Sequence, residues 1–251
     1  MDYERHCELI VEQAELMADQ LTGADLGTPV PSCPGWNVGQ LVRHVGGAHR
    51  EATIVAQTGS APPEDDFRDP THWTADNAKA RALADWLVDG ARDLSKALLT
   101  AGPDVPIQMP IDNPTIRFTA RRMTHETVMH RADAALALDR PYELDAEVAT
   151  DGIDEWMELG ALPLHFEVHP WMRELLAPGR TLKFKAAHQA WVVDLTGDAI
   201  QWRHSDEPTA VTVKAPVTDL LLHLYKRRND NVQVEGDRDL LDYYRERVSF
   251  G

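Results

Sequence analysis

Residues 121–134 read RRMTHETVMHRADA. From Phe118 to Leu138 the chain has neither Gly nor Pro and is rich in helix formers, so a helix is predicted there. At roughly 100° per residue, Glu126 and His130 fall about 40° apart on one face, with Met123 and Met129 about 60° to either side of Glu126. A carboxylate and an imidazole therefore point where apolar side chains point.

Three further helices are predicted upstream. Residues 2–22 place Leu9, Ile10, Ala14, Met17 and Leu21 at helical spacing. After the Pro/Gly connector TPVPSCPGW (28–36), Asn37 is an N-cap for a helix running to about Thr58. TGSAPPEDDFRDP (58–70) has the composition of an exposed loop, and a third helix is expected from about Ala75 to Leu99. Four helices with an intervening loop make a bundle.

The pattern changes after DRPYELD (139–145). A helix from about Ala146 to Leu159 leads into an irregular segment holding His165, His169, Pro170 and Trp171. Strand-like runs follow at 181–187, 190–197, 199–205 and 209–215, the middle pair reading as a hairpin around Gly197 and Asp198. The apolar helix VTDLLLHLYKRR (217–228), a short strand NVQVEG and a last helix RDLLDYYRERV complete a small α+β unit. The expected organisation is a helical domain over 1–145 and an α+β domain over 146–251.

The composition narrows the function classes. A chain of 251 residues that is 43% hydrophobic is ordinary for a globular protein with a substantial core. With 25 basic and 41 acidic residues the net charge is −16, which disfavours nucleic acid and anionic membrane surfaces as partners. No run approaches the roughly 20 apolar residues needed to span a bilayer. The start, MDYERHCELI, lacks the basic-then-apolar order of a signal peptide, so a cytoplasmic location is expected. Cys7 and Cys33 form no C-x-x-C pattern and read as free structural thiols. Thiol chemistry here would draw on a thiol from outside the chain.

The histidine-rich stretch is not a zinc-protease helix. His125 and His130 are five residues apart, about 140° around a helix, whereas H-E-x-x-H needs both on one face. Glu126 and His130, at i and i+4, can share one cation if a third ligand joins them. QLVRHVGGAHRE (40–51) offers His44 or His49. His49 falls inside the stripe of Leu41, Val42 and Val45, and His44 at its edge, so periodicity favours His49 as the inward residue. Asp133 is placed to orient a ligand, to hold Arg131, or to make a surface ion pair. His125 faces away from the proposed metal and takes no role; His165 and His169 read as core, surface or cleft residues.

In PSCPGWNVGQLVRHVGGAHR, THETVMHRADA, AWVVDLTG, VTDLLLHLYKRR and VQVEGDRDLL, taken in order, the chain resembles the mycothiol-dependent maleylpyruvate isomerase family. The resemblance implies a DinB-like four-helix metal-binding bundle followed by a sterol-carrier-like α+β domain. It implies His44, Glu126 and His130 as ligands, against the periodicity reading, and zinc as the metal. Two imidazoles and a carboxylate leave the open position that catalytic zinc requires. The further cofactor implied is mycothiol, whose thiol zinc would hold as thiolate for attack on a small-molecule electrophile. Cis–trans isomerisation of an α,β-unsaturated acid and thiol S-transfer both follow from that chemistry.

The resemblance also implies a catalytic Arg at Arg227, to stabilise an anionic substrate or enolate. Family members commonly have Gly before this Arg, where this chain has Lys226. Arg227 and Arg228 read equally as partners of a helix C-terminus. The partners expected are a low-molecular-weight thiol and an electrophile, in a monomer or homodimer. The rival reading is a non-catalytic protein binding an apolar small molecule, its metal structural.

Overall fold

The computed structural model describes residues 1–62, 76–228 and 230–248. The chain divides into two compact units, 1–142 and 143–251. Most of the loop expected over 58–70, and the expected start of the third helix at Ala75, lie outside the described residues.

The first unit is built on α1 (Tyr3–Gln20), α2 (Val38–Thr58), α3 (Ala80–Ala101) and α4 (Ile116–Ala137). Each start follows from local chemistry. Asp2 accepts from the Arg5 amide at the head of α1. Asn37 and Gln40 form a reciprocal capping box on α2, a device whose loss costs roughly 1 kcal/mol. Gly59 ends α2 in the left-handed region, with φ 79°, where glycine carries no Cβ penalty. α1 and α2 each pack on both α3 and α4. The predicted stripes meet in the core: Leu9, Ile10, Ala14, Met17 and Leu21 from α1, with Leu41, Val42 and Val45 from α2, are all buried.

Gly46 of α2 has a packing cause. A Cβ on Gly46 would lie 2.2 Å from the Trp86 ring of α3. The Arg50 guanidinium lies over that indole, 3.7 Å from its centroid, and donates to the Gly46 and Trp86 carbonyls. This clasp sets the closeness of α2 to α3.

α4 is enclosed far beyond one apolar stripe. Thr119, Thr124, His125, Thr127, Arg131 and Asp133 are all buried along it, besides Val128 and Met129. Polar groups in such surroundings need partners. The Thr124 hydroxyl lies between the His6 and Ala120 carbonyls and shares its one hydrogen with them, Arg131 donates to Gln13, and His125 sits edge-on to His6.

The second unit carries a five-stranded sheet ordered β3-β2-β1-β4-β5, from β1 (Thr181–Lys185), β2 (Ala190–Asp194), β3 (Gln201–His204), β4 (Val211–Lys214) and β5 (Gln233–Gly236). β2 and β3 pair antiparallel as predicted, but the connection runs from Leu195 to Ile200, longer than a tight turn at Gly197 and Asp198. β1 pairs in parallel with β4, Leu182 opposite Val211. Buried Phe184 faces buried Trp191 across β1 and β2. The Trp191 indole N–H donates to Asp154 on α5 (Ala146–Gly160). The segment expected to be irregular holds a short helix, α6 (Leu164–Val168), and a tight 3-10 stretch, Pro170–Leu175. α7 (Val217–Leu224) packs on α5 and β1, and α8 (Arg238–Arg247) on β4. Among the described residues no helix is long and apolar enough to cross a membrane.

Candidate metal centre

α2 and α4 bring three of the sequence-predicted residues together. His44 Nε2 lies 3.4 Å, and His130 Nε2 3.2 Å, from Glu126 Oε1. One donor atom from each of the three falls within 4.8 Å of the others. The His44 and His130 rings stand perpendicular, 5.1 Å between centroids. Trp36, from the Gly-Trp connector, leans on His44 at 4.9 Å.

His49 lies elsewhere. It is buried, and its Nε2 is 2.9 Å from the Thr127 hydroxyl, which itself donates to the Met123 carbonyl. A hydroxyl has one hydrogen, so His49 is the donor to Thr127. Burial, with the nearby Arg50 charge, pushes His49 down to about 4. The inward residue by periodicity is thus a neutral core histidine, and the edge residue reaches Glu126.

Asp133 has no exposed side-chain surface and sits 2.9 Å from His130 Nδ1. Ser32 donates to its other oxygen at 2.6 Å, and the Cys33 thiol lies 3.6 Å from Oδ2. The surface ion pair foreseen as one option for Asp133 is therefore excluded. With Nδ1–H given to Asp133, His130 turns its Nε2 toward Glu126 Oε1. A carboxylate oxygen carries no hydrogen, so a proton on Nε2 or a metal cation must bridge the two atoms. Histidine ligands are held in this way by a carboxylate on the second nitrogen.

The electrostatics follow that geometry. Burial opposes ionisation of Glu126, but hydrogen bonds from His130 and His44 and the Arg122 charge hold its carboxyl well below the usual range. Burial opposes a charge on His130 too, yet Asp133, Cys33 and Glu126 raise it well above the ordinary imidazole range. Arg122, one turn before Glu126, lies 3.1 Å from Oε2, which leaves Oε1 as the oxygen facing both imidazoles. Periodicity could have flagged Arg122, at i−4 from Glu126. Nothing local marks Ser32 or the approach of Cys33.

Cys7 is fully buried, and burial pushes its thiol up to about 11. His125 is buried against His6. In the second unit His165 and His169 stack at 6.1 Å, and His169 leans on the half-exposed Trp171.

Arg227 follows α7. Lys226 adopts φ +61°, with its amide bonded to the His223 carbonyl and the Arg227 amide to the Leu222 carbonyl. This is the double bond pattern of a helix C-terminus that favours glycine at the left-handed position. Lys226 thus takes the backbone conformation a glycine would supply, at a steric cost on the order of 1–2 kcal/mol. The Arg227 guanidinium donates to the Tyr225 carbonyl, and Arg228 pairs with Asp219 and Asp230.

The family model for the mycothiol maleylpyruvate isomerase N-terminal domain matches residues 7–135, just over half of the chain. Among solved structures, the crystal structure of the mycothiol-dependent maleylpyruvate isomerase is similar over 94% of this chain and 93% of that one, with 15% identity and a TM-score of 0.58. The structure of a histidine-to-alanine variant of that enzyme matches over the same shares, at 14% identity and a TM-score of 0.60. A comparison with curated protein sequences finds no match.

Proposed function

This chain belongs to the mycothiol maleylpyruvate isomerase N-terminal domain family, and on that premise we propose that it is a zinc- and mycothiol-dependent enzyme adding a low-molecular-weight thiol to an electrophilic small molecule. Maleylpyruvate-type cis–trans isomerisation and S-transfer are the two outcomes of that addition. The observation that carries the reading is the convergence of His44, Glu126 and His130 on one point, with His130 held from behind by Asp133.

The donor set fits the metal. Two imidazole nitrogens and one carboxylate oxygen suit zinc, and three protein ligands leave a coordination position open for a small ligand. Bound zinc would lower the pKa of a thiol at that position and so supply a thiolate at neutral pH. Asp133 keeps the His130 Nε2 lone pair turned inward, and Arg122 holds Glu126 Oε2 aside. Trp36 restrains the His44 ring. Cys7 is enclosed with its thiol pushed up, and the Cys33 thiol is engaged with Asp133 and His130. The attacking thiol is therefore proposed to come from outside.

Arg227 is our candidate for the cation that stabilises negative charge on the reacting substrate. Turnover of maleylpyruvate and of simple electrophiles, with and without mycothiol, tests the reading. Thiol-dependent turnover lost on chelation supports it. A thiol-independent rate, or bound metal with no thiol-dependent chemistry on any electrophile, favours the binding-protein rival.

A further inference from the structure

Arg122 and Glu126 stand one turn apart on α4, and both line a cavity of 280 Å³ between α2 and α4. Ala48 and Ala52 of α2 open the space, and Val55, Met109 and Met123 give it apolar walls. Among the described residues Arg122 is the one cation of that wall. Its side chain keeps 20% of its surface exposed, so the charge is not sealed into the helix face.

Glu126 divides its two oxygens. Oε1 faces His44 and His130, and Oε2 accepts from Arg122 at 3.1 Å. The cation therefore sits one carboxyl group away from the point proposed for the metal. A metal on Oε1 draws the carboxylate's charge to itself, and the guanidinium is then less neutralised by it. Counting charges makes the same point. Zinc would bring two positive charges, which Glu126 and a bound thiolate cancel. Arg122 remains, and one carboxylate from a substrate closes the balance. Without Arg122 that carboxylate would be an uncompensated charge in a half-enclosed place. Glu51, the other acid of the wall, also has a partner, and Arg122 has a contact besides Glu126. A guanidinium carries five N–H donors in a planar fork and serves several acceptors at once.

Resting on the proposed thiol chemistry, we propose that Arg122 anchors a carboxylate of the electrophile, with the rest of that molecule in the α2–α4 cavity. A carboxylate held there brings the double bond next to it close to the convergence of His44, Glu126 and His130. Arg122 thus selects unsaturated acids over their neutral counterparts through binding, a role separate from the stabilisation of developing charge proposed for Arg227.

The test uses the zinc-loaded full chain with mycothiol and a matched pair of electrophiles, 3-benzoylacrylate and 3-benzoylacrylamide, which differ only at the carboxylate. Each rate is divided by the uncatalysed rate with the same thiol, and zinc content is measured in every variant. Arg122→Gln should raise KM for the acid about 10–100-fold, the scale of a charge-assisted hydrogen bond. Its kcat for the acid, and both constants for the amide, should stay within threefold, because uniform binding is what is lost. Arg122→Lys keeps the charge without the fork and should recover part of the loss. Met109→Glu adds a negative charge to the cavity wall on a side chain that is 42% exposed, and should weaken the acid at least threefold against the amide. The second readout is calorimetric binding of unreactive 3-benzoylpropionate, with mycothiol present to fill the open metal position. Arg122→Gln should weaken that binding at least tenfold. A purely structural Arg122 would move acid and amide together; that result, or acid binding untouched by Arg122→Gln, would overturn the proposal. If Arg122→Gln loses its zinc, Met109→Glu decides, and equal effects on acid and amide would overturn the anchor. Arg122-dependent binding of 3-benzoylpropionate without thiol-dependent turnover of either electrophile would uphold the anchor and sink the proposed enzyme reading.

Discussion

His130 Nδ1 lies 2.9 Å from Asp133 Oδ2, three residues further along the same helix, and the carboxylate it meets has no exposed surface. The contact fixes which imidazole nitrogen looks toward Glu126. Asp133→Asn keeps the shape and loses the charge. It should lower zinc affinity about 10–100-fold, the range seen when the partner of a ligating histidine is removed. Ser32→Ala, which removes one bond to Asp133, should cost less. Zinc titration against a chelating indicator reads both; unchanged affinity in Asp133→Asn would separate Asp133 from the metal.

One divalent metal per chain is expected, lost on chelation, with His44→Ala, Glu126→Ala and His130→Ala each stripping it and His49→Ala retaining it. The pH dependence has a definite sign. His130 is held above the ordinary imidazole range, so it carries a proton at neutral pH that metal must displace. With one proton released per metal, apparent affinity should fall about tenfold per unit as pH drops below that raised pKa. Proton release by calorimetry in buffers of different ionisation enthalpy checks it, and a pH-independent affinity would count against His130 as ligand.

Activity should depend on added thiol and not on the chain's own cysteines. Cys7→Ala, chosen because Cys7 sits in the core, and Cys33→Ser, which keeps a hydroxyl beside Asp133, should together retain mycothiol-dependent turnover. Turnover by the wild type without any added thiol would refute the external nucleophile.

Arg227→Ala should reduce kcat on the order of 10²–10³-fold, the scale for losing one donor to developing negative charge, with metal content and folding unchanged. Arg228 is engaged with Asp219 and Asp230, and Arg228→Ala should cost far less. Equal, near-wild-type kinetics in both would remove Arg227 from the reaction.

His49 makes the fold acid-sensitive. Its pKa is about 4 in the folded chain against the ordinary 6.5, so the unfolded chain takes up a proton that the folded one refuses. The stability from keeping His49 neutral is complete above 6.5 and is lost as pH falls from there toward 4. The difference of roughly two and a half units corresponds to about 3 kcal/mol. His49→Gln retains a donor for Thr127 and cannot titrate, so urea unfolding across this range should show a shallower acid slope for the variant. Parallel slopes would mean that His49 is protonated in the fold.

Much of this protein follows from its sequence, because helix and strand periods are local properties. The Glu126–His130 pair was legible since i and i+4 share a face in any α-helix, and the buried stripes of α1 and α2 were legible for the same reason. The bundle and the small sheet followed from the order of those elements. Tertiary structure decided what lies between elements. A helical wheel reports angle about one axis and is silent on where along that axis a neighbour crosses. His49 therefore scored as the inward residue, yet it faces Thr127, while His44 at the stripe's edge meets Glu126 from 82 residues away. Asp133 read as an orienting residue or a surface acid; the connector that brings Ser32 across 101 residues buries it behind His130. The parallel pairing of β1 with β4 has the same character, since strand pattern sets which face is apolar and only packing chooses the partner.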